Sequence, residues 1–277
     1  MRAYFRLMRF HKPVGIWLLW FPTAWALWIA NQGNPPIKLV FLFLLGTVIM
    51  RAAGCVINDI ADRHVDMHVL RTRERPLVKG EIGLIQAFSL LAILLVFALA
   101  VLIQLPSQCF YYAIFALIIT VLYPFCKRYI QGPQLILGLA FSMGIPMAFC
   151  ASNHLSYIEM LALFLINFFW ILAYDTEYAM VDREDDLKIG VKSTAILFAA
   201  YDRVAICFFQ FCFHMIWLFL ALELEFSRAF FVVWSLAILQ LLFQQKCLAK
   251  REREGYLYAF SSNSWYGLIM WIGLMLA

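Results

Sequence analysis

Long uncharged runs dominate the chain, and the charged residues are concentrated in the short segments between them. The runs cover residues 13–37, 82–126, 129–158, 160–174, 204–222, 229–245 and 255–277. An α-helix of roughly 20 apolar residues crosses a bilayer core about 30 Å thick. The pattern therefore predicts nine membrane-spanning helices, near residues 14–30, 38–57, 84–104, 109–124, 133–151, 156–174, 204–222, 229–245 and 264–277.

The composition supports this interpretation. Of the 277 residues, 64% are apolar and 14% are charged, whereas soluble domains average about 45–50% and about 25%. One ordinary core cannot hide such an excess of apolar residues, which excludes a soluble enzyme. We expect an all-α, polytopic membrane protein with a single transmembrane domain over residues 1–277.

The cations predict the orientation in the membrane. With nine spans, the N-terminus and the loops after spans 2, 4, 6 and 8 share one side and hold 20 of the 22 Lys and Arg residues, counting Arg51 in the later half of span 2; only Lys38 and Arg228 lie opposite. Because positive residues mark the cytoplasmic side, the N-terminus and those loops are predicted to be cytoplasmic and the C-terminus is not. This topology accounts for the net charge of +5, so no nucleic-acid partner is expected.

The aspartates carry the chemical information. Seven of the eight fall in residues 58–66 and 175–186, directly after spans 2 and 6 and on the same predicted side. At about 100° per helical residue, each segment places three polar side chains along one face. The first column is Asn58, Asp62 and Asp66; the second is Asp175, Asp182 and Asp186.

Two facing columns of carboxylates require compensation, because like charges repel and a nearby low-dielectric region disfavours the charged form. All-oxygen ligands favour Mg²⁺, which is usually held by a few carboxylates together with substrate phosphates. Basic residues beside the columns suit a diphosphate: Arg71, Arg73, Arg75, Lys79, Lys188 and Lys192. The pattern indicates a substrate with a diphosphate head and a hydrocarbon tail. The alternatives are charged helix caps and membrane-anchoring cations, among them Arg63.

The two acidic segments also suggest an internal repeat. Each has an apolar span, an Asp-rich loop and a further span, with loops near 58–80 and 175–194. An even number of spans separates them, which predicts two parallel pseudo-repeats, a known plan among membrane proteins.

Several motifs resemble the UbiA superfamily of intramembrane aromatic prenyltransferases. They include Asn58-Asp59-x-x-Asp62-x-x-x-Asp66 and the segments 51–59, 71–77, 123–129, 145–149, 173–182 and 188–195. The resemblance covers most of the chain. One departure is Tyr178, which stands where the broad superfamily has a possible first acid of the second motif.

The resemblance implies a bacterial inner-membrane enzyme of ubiquinone biosynthesis. It would transfer a polyprenyl group from its diphosphate to the carbon ortho to the hydroxyl of 4-hydroxybenzoate, with Mg²⁺ stabilising the leaving charge. The implied metal ligands are Asn58, Asp62, Asp66, Asp182 and Asp186, of which the four aspartates are also the catalytic set. The implied substrate-binding residues are Arg63, Arg71, Arg75, Lys127, Arg128, Asp175, Tyr178, Lys188 and Lys192.

The aromatic acceptor comes from the resemblance alone. A sibling enzyme acting on dihydroxynaphthoate or haem, a phospholipid-type transferase with a hydroxyl acceptor, and a cation transporter remain as alternatives. We predict that the planar guanidinium of Arg128 pairs with the 4-hydroxybenzoate carboxylate, a geometry that Lys does not reproduce. Its alternative role is to anchor the protein at the membrane surface.

Overall fold

Helices form almost the whole chain in the computed structural model, which describes residues 1–277. In chain order the helices are α1 (Arg2–Leu7), α2 (Val14–Ala30), α3 (Ile37–Asp66), α4 (Leu84–Leu102), α5 (Cys109–Tyr129), α6 (Pro133–Ser142), α7 (Gly144–Ala151), α8 (Tyr157–Ile189), α9 (Thr194–Phe198), α10 (Asp202–Glu223), α11 (Arg228–Ala249) and α12 (Arg253–Met275). A single 3₁₀ turn at Ala199–Tyr201 joins α9 to α10.

The all-α, polytopic membrane architecture is confirmed. Seven helical segments are long and apolar enough to cross a membrane: Ile37–Asp66, Leu84–Leu102, Cys109–Tyr129, Pro133–Ala151, Tyr157–Ile189, Thr194–Glu223 and Arg228–Ala249. Helix α2 is apolar but has only 17 residues, and α12 is not among the seven. The predicted count of nine spans is therefore not confirmed, and it remains a prediction.

The helices differ in what their apolar side chains face. Helix α2 is central: Trp20 and Trp25 are buried, and the Trp25 indole Nε1 donates to the Gly267 carbonyl of α12 at 3.2 Å. Helices α4 and α5 instead expose large apolar side chains, for example Phe88, Phe97 and Phe115. Apolar surface of this kind, on helices that satisfy their own backbone hydrogen bonds, is what a bilayer accommodates.

The acidic segments are helical, so the prediction of Asp-rich loops at 58–80 and 175–194 was wrong in its boundaries. Helix α3 continues to Asp66, and α8 continues to Ile189, where Gly190 ends it in a left-handed conformation with φ 75°. The loops are residues 67–83 and 190–193. Both helices extend well beyond their apolar stretches, which end near residues 57 and 174.

Contacts with neighbouring elements support the polar end of α8. Asp202, at the start of α10, is fully buried and pairs with Arg183 of α8 and with Arg251 of the α11–α12 loop, the latter at 2.6 Å. Nearer the start of α8, the buried Glu177 carboxylate accepts a hydrogen bond from Asn263 of α12 at 2.8 Å. These side-chain contacts hold the polar turns of α8 in place, together with the buried Met180 and Val181 on the core side of the helix.

Candidate active site

The ends of α3 and α8 face one polar cavity of about 800 Å³. Both acidic columns line it: Asn58, Asp62 and Asp66 from α3, and Asp175, Asp182 and Asp186 from α8. The regular helices preserve the spacing that the sequence indicates, so each set presents its polar atoms along one face. The structure brings the two acidic segments together, as the shared-side argument expected.

The loop that follows α3 folds across the end of α8. The Arg71 guanidinium donates to both oxygens of Asp182, through Nε at 3.0 and 3.1 Å. It also donates to the Tyr178 hydroxyl and lies 4.5 Å from the centre of that ring. Burial alone would lower the pKa of Arg71, but Tyr178 and Asp182 raise it above its ordinary value. The side chain therefore stays charged at the cavity wall.

The first column is matched by cations from two other elements. Arg75, in the α3–α4 loop, pairs with Asp66 and also lies 3.1 Å from Asp59. Lys127 of α5 lies 3.1 Å from Asp62. Burial would lower the pKa of Arg75, but the carboxylates of Asp59 and Asp66 raise it overall, so this guanidinium also keeps its charge.

The predicted substrate-binding residues fall into two groups. Arg71, Arg75, Lys127, Arg128, Asp175, Tyr178 and Lys192 line the cavity; Arg63 and Lys188 do not. Arg63 donates from Nε to the His64 ring at 3.0 Å, and Lys188 is exposed, with its ammonium 3.9 Å from Asp185. Their helical positions turn them away from the columns, which is typical of solvent-facing or membrane-anchoring cations.

Arg128 and Lys192 line the cavity but are already engaged at its rim. Arg128 is exposed, and its Nη2 donates to the Ala61 carbonyl at 3.2 Å. Lys192 Nζ donates to the Tyr129 carbonyl at 2.9 Å. These contacts tie the end of α5 to the neighbouring segments.

A second, mostly apolar cavity of about 520 Å³ lies between α3, α4, α5, α6 and α7. It shares six lining residues with the polar cavity: Arg51, Gly54, Asn58, Tyr123, Leu137 and Phe141. The two cavities therefore meet at this level of α3. The combined space offers a polar end and an apolar end to one amphiphilic molecule.

Arg51 lies at this junction, and the sequence argument did not single it out. It sits within α3, where the charge count had assigned it to the loop side, and it makes no ion pair or side-chain hydrogen bond. A Cβ atom at Gly15 would collide with its guanidinium, so the glycine leaves room for this side chain. A charged residue inside an apolar span is itself a functional signal, and that signal was available in the sequence.

The donor set fits a hard divalent cation, because every side chain of the two columns offers oxygen. The Asn58 Oδ1 atom is buried, lines the cavity and accepts no hydrogen bond. No three Asp, Glu, His or Cys side chains converge closely enough to hold an ion in the arrangement described. The carboxylates instead contact Arg71, Arg75 and Lys127, so binding of a metal requires these partners to change.

Curated relatives match the whole chain. It is 56% identical over 275 residues to "4-hydroxybenzoate octaprenyltransferase" of Legionella pneumophila, covering 99% of this chain and 98% of the relative. It is 43% identical over 277 residues to the protein of the same name from Coxiella burnetii, covering 100% of this chain and 96% of the relative.

Solved structures share the fold at low sequence identity. A UbiA homolog from Aeropyrum pernix K1, in its apo form, superposes with a TM-score of 0.80 at 21% identity, covering 93% of this chain and 96% of that one. A UbiA homolog from Archaeoglobus fulgidus bound to GPP and Mg²⁺ superposes with a TM-score of 0.72 at 20% identity, covering 97% and 99%. Residues 19–271 match the UbiA prenyltransferase family. The agreement of sequence, fold and relatives over nearly the full length shows that this chain belongs to the UbiA prenyltransferase family.

Proposed function

We propose that this protein transfers a polyprenyl group from polyprenyl diphosphate to the ring carbon ortho to the hydroxyl of 4-hydroxybenzoate. The observation that carries the proposal is the junction of the two cavities, where a wall of carboxylates and cations meets an apolar space. The full-length relatives named for this acceptor support it, and their name favours an octaprenyl donor. The products are 3-polyprenyl-4-hydroxybenzoate and diphosphate, within ubiquinone biosynthesis.

The metal in this proposal is Mg²⁺, held by Asn58, Asp62, Asp66, Asp182 and Asp186. When bound, it supplies Lewis-acid stabilisation of the negative charge that develops on the departing diphosphate. The A. fulgidus homolog was solved with prenyl diphosphates and Mg²⁺, and also with Cd²⁺. Divalent metal use is the broader inference, and Mg²⁺ is the specific one.

The cations of the cavity have a second role in this scheme. Arg71, Arg75 and Lys127 now contact carboxylates at the cavity wall. When those carboxylates turn to the metal, the three cations are free to donate charge-assisted hydrogen bonds to phosphate oxygens. The cations thus exchange carboxylate partners for the diphosphate of the prenyl donor. The prenyl tail occupies the apolar cavity.

The acceptor carboxylate is the next group to place. Arg51 is unpaired and lies where the polar and apolar cavities meet, whereas Arg128 is exposed and already donates to a backbone carbonyl. We therefore place the carboxylate on Arg51, which turns the phenol side of the ring toward the C1 carbon of the donor. Arg128, the residue favoured by the sequence argument, becomes the competing candidate.

The activity itself is tested with detergent-solubilised protein, Mg²⁺, a polyprenyl diphosphate and a panel of acceptors. We expect product with 4-hydroxybenzoate. Product only with dihydroxynaphthoate or haem would move the protein to a sibling activity, and product only with an alcohol would indicate a phospholipid-type transferase. Absence of any transfer, with cation uptake in vesicles, would support the transporter alternative.

Variants of Arg51 and Arg128 separate the two acceptor sites. Loss of one charge-assisted contact costs about 1.5–3 kcal/mol, roughly ten- to a hundred-fold in kcat/KM for the acceptor. We expect Arg51→Ala to raise the KM for 4-hydroxybenzoate, Arg51→Lys to rescue it partly, and the KM for the donor to stay nearly constant. Arg128→Ala should change the acceptor KM by less than three-fold. The reverse ranking would return the carboxylate to Arg128.

The proposed location is a bacterial inner membrane with the acidic cavity at the cytoplasmic face. The excess of Lys and Arg on that side of the chain supports this orientation. A cysteine placed at the exposed Lys79 or Lys188 position should react with an impermeant maleimide only from the cytoplasmic side.

A further inference from the structure

Asp59 is the acidic residue of the first segment that does not belong to its column. It follows Asn58 on α3, so helical geometry turns its side chain about 100° from that of Asn58 but only about 20° from that of Asp66, at one edge of the column. Its carboxylate is only 1% exposed, and burying a charge at such a position requires partners. Both of its partners are arginines from other elements.

The first partner is Arg9, from the segment that joins α1 to α2. Its Nη2 lies 2.7 Å from Asp59 Oδ1, although the two residues are 50 positions apart. Arg9 has a φ of 61°, a left-handed conformation that is uncommon for residues other than glycine. Surrounding contacts must hold such a conformation, which marks this segment as a docked part of the structure.

Two residues of α1 dock the whole N-terminal segment, residues 2–13, independently of Arg9. The Arg6 guanidinium pairs with Glu81 at 2.9 Å and donates to the Glu74 carbonyl at 2.6 Å, both in the α3–α4 loop. Leu7 is fully buried in a small apolar cluster with Val56 and Ile82. The N-terminal segment is therefore one wall of the polar cavity, which Arg6 and Arg9 line.

The second partner of Asp59 is Arg75, which shares the same Oδ1 atom at 3.1 Å. Arg75 also pairs with Asp66, one of the proposed metal ligands. When Asp66 turns to a cation, Arg75 retains Asp59 as its anchor. Its remaining N–H groups then face the cavity, where the diphosphate of the proposed reaction binds.

Charge balance shows what Arg9 adds to this arrangement. Asp59 and Arg75 alone would neutralise each other, and Arg75 would have little net attraction for an anion. With Arg9 present, and once Asp66 has turned to a cation, two guanidinium groups share the Asp59 carboxylate and one positive charge is left over. From this we infer that Arg9 is a positioning residue, which neutralises Asp59 so that the positive charge of Arg75 remains available to bind the substrate's diphosphate.

This inference rests on the proposed function for the identity of the anion, but its test does not require the transfer reaction. Purified protein in nanodiscs is titrated calorimetrically with inorganic diphosphate, once in EDTA and once with Mg²⁺. We expect Arg9→Ala to weaken binding by about five- to twenty-fold in both buffers, the effect of one lost charge in a partly buried site. Arg9→Lys should bind within three-fold of the wild type. Arg2→Ala removes an exposed cation from the same segment and should bind like the wild type.

The double variant distinguishes positioning from direct contact and from a purely structural role. In Arg9→Ala with Asp59→Asn, one net positive charge returns to Arg75, and we expect binding to recover to within three-fold of the wild type. If Arg9 contacts the diphosphate itself, or only holds the segment in place, the double variant will bind no better than Arg9→Ala. That result overturns the inference.

The single Asp59→Asn variant keeps the test decisive if Arg9→Ala does not fold. Its cavity gains one positive charge, so it should bind inorganic diphosphate at least as tightly as the wild type in EDTA. Binding weakened by more than three-fold would mean that Asp59 has another role and would contradict the inference. Failure of the proposed function is recognised separately: the wild type would bind inorganic diphosphate and yet transfer no prenyl group to 4-hydroxybenzoate.

Discussion

The acidic ends of α3 and α8 carry similar side chains but differ in how their charges are compensated. Asp59, Asp62 and Asp66 on α3 are all nearly buried, and each pairs with a cation from another element. On α8, Asp182 pairs with Arg71, but Asp186 lines the same cavity with no ion-pair partner within 4.0 Å. The acids of α3 are all compensated by the protein's own cations, and we call this column closed. The α8 column is partly open, because Asp186 has no such partner.

This difference indicates how the cavity can accept both a metal and a diphosphate. Removing one partner of a buried ion pair is costly because it leaves an uncompensated charge. The pairs at α3 therefore offset the charge of their buried carboxylates, and we propose that the uncompensated oxygens at α8 supply an initial position for a cation. In the function that we propose, binding would then exchange partners, so that carboxylates contact the metal and cations contact phosphate oxygens. The predictions that follow probe this asymmetry.

The largest effect is expected where one carboxylate of each column is neutralised. Asp62→Asn and Asp182→Asn should each reduce turnover by at least about a hundred-fold, because each removes a charged oxygen that the transition state requires. The measurement is prenyl transfer in Mg²⁺-saturated membranes. Glu184→Gln is the matched control on α8: it is exposed at the surface, where it pairs with Arg253, and it should retain activity. Substantial activity in either Asp variant would show that one column suffices.

A smaller effect is expected on the stability of the protein in EDTA. Lys127→Ala removes the cation beside Asp62, whose side chain is 9% exposed. The unpaired carboxylate should cost about 1–3 kcal/mol, which lowers the apparent Tm by several degrees. Lys188→Ala is the matched control, since its ammonium is exposed and surface pairs contribute little. Equal shifts for the two variants, measured by thermal unfolding in EDTA, would contradict the closed character of the α3 column.

The smallest effect should come from the open column. Asp182 and Asp186 are four positions apart on α8, and like charges at that spacing repel by a few tenths of a kcal/mol. Asp186→Asn should therefore leave the apparent Tm in EDTA unchanged or slightly raised, whereas Asp66→Asn should lower it by breaking the pair with Arg75. Mg²⁺ with inorganic diphosphate should stabilise the wild type and stabilise Asp186→Asn less. A large loss of stability for Asp186→Asn in EDTA would mean that this column is closed as well.

Much of the site was accessible from the spacing of residues in the sequence. Asn58, Asp62 and Asp66 lie four residues apart, as do Asp182 and Asp186, and any α-helix places residues at that spacing on one face. Their positions after two even-numbered spans indicated a shared side of the membrane. Arg51 could also have been recognised, because an arginine inside an apolar stretch needs a specific explanation.

Other features could not be predicted, because they depend on how distant segments fold over one another. Residues 71 and 182 are 111 positions apart, and residues 9 and 59 are 50 positions apart. No local pattern assigns one arginine among several to one carboxylate. The separation of Arg63 and Lys188 from the cavity belongs to the same class, since it depends on the rotation of each helix end.

The sequence by itself determined that this is an all-α membrane protein with acidic columns. Apolar runs of that length can only be satisfied as helices in a bilayer, and the i, i+4 spacing of acids acts within a single helix. Only the tertiary structure decided that α3 and α8 stay helical through their polar ends, that the N-terminal segment lines the polar cavity, and that Arg51 lies where the polar and apolar cavities join. The physical reason is the range of the interactions: hydropathy and helical periodicity act locally, whereas ion pairs and cavities form only when separate segments are packed together.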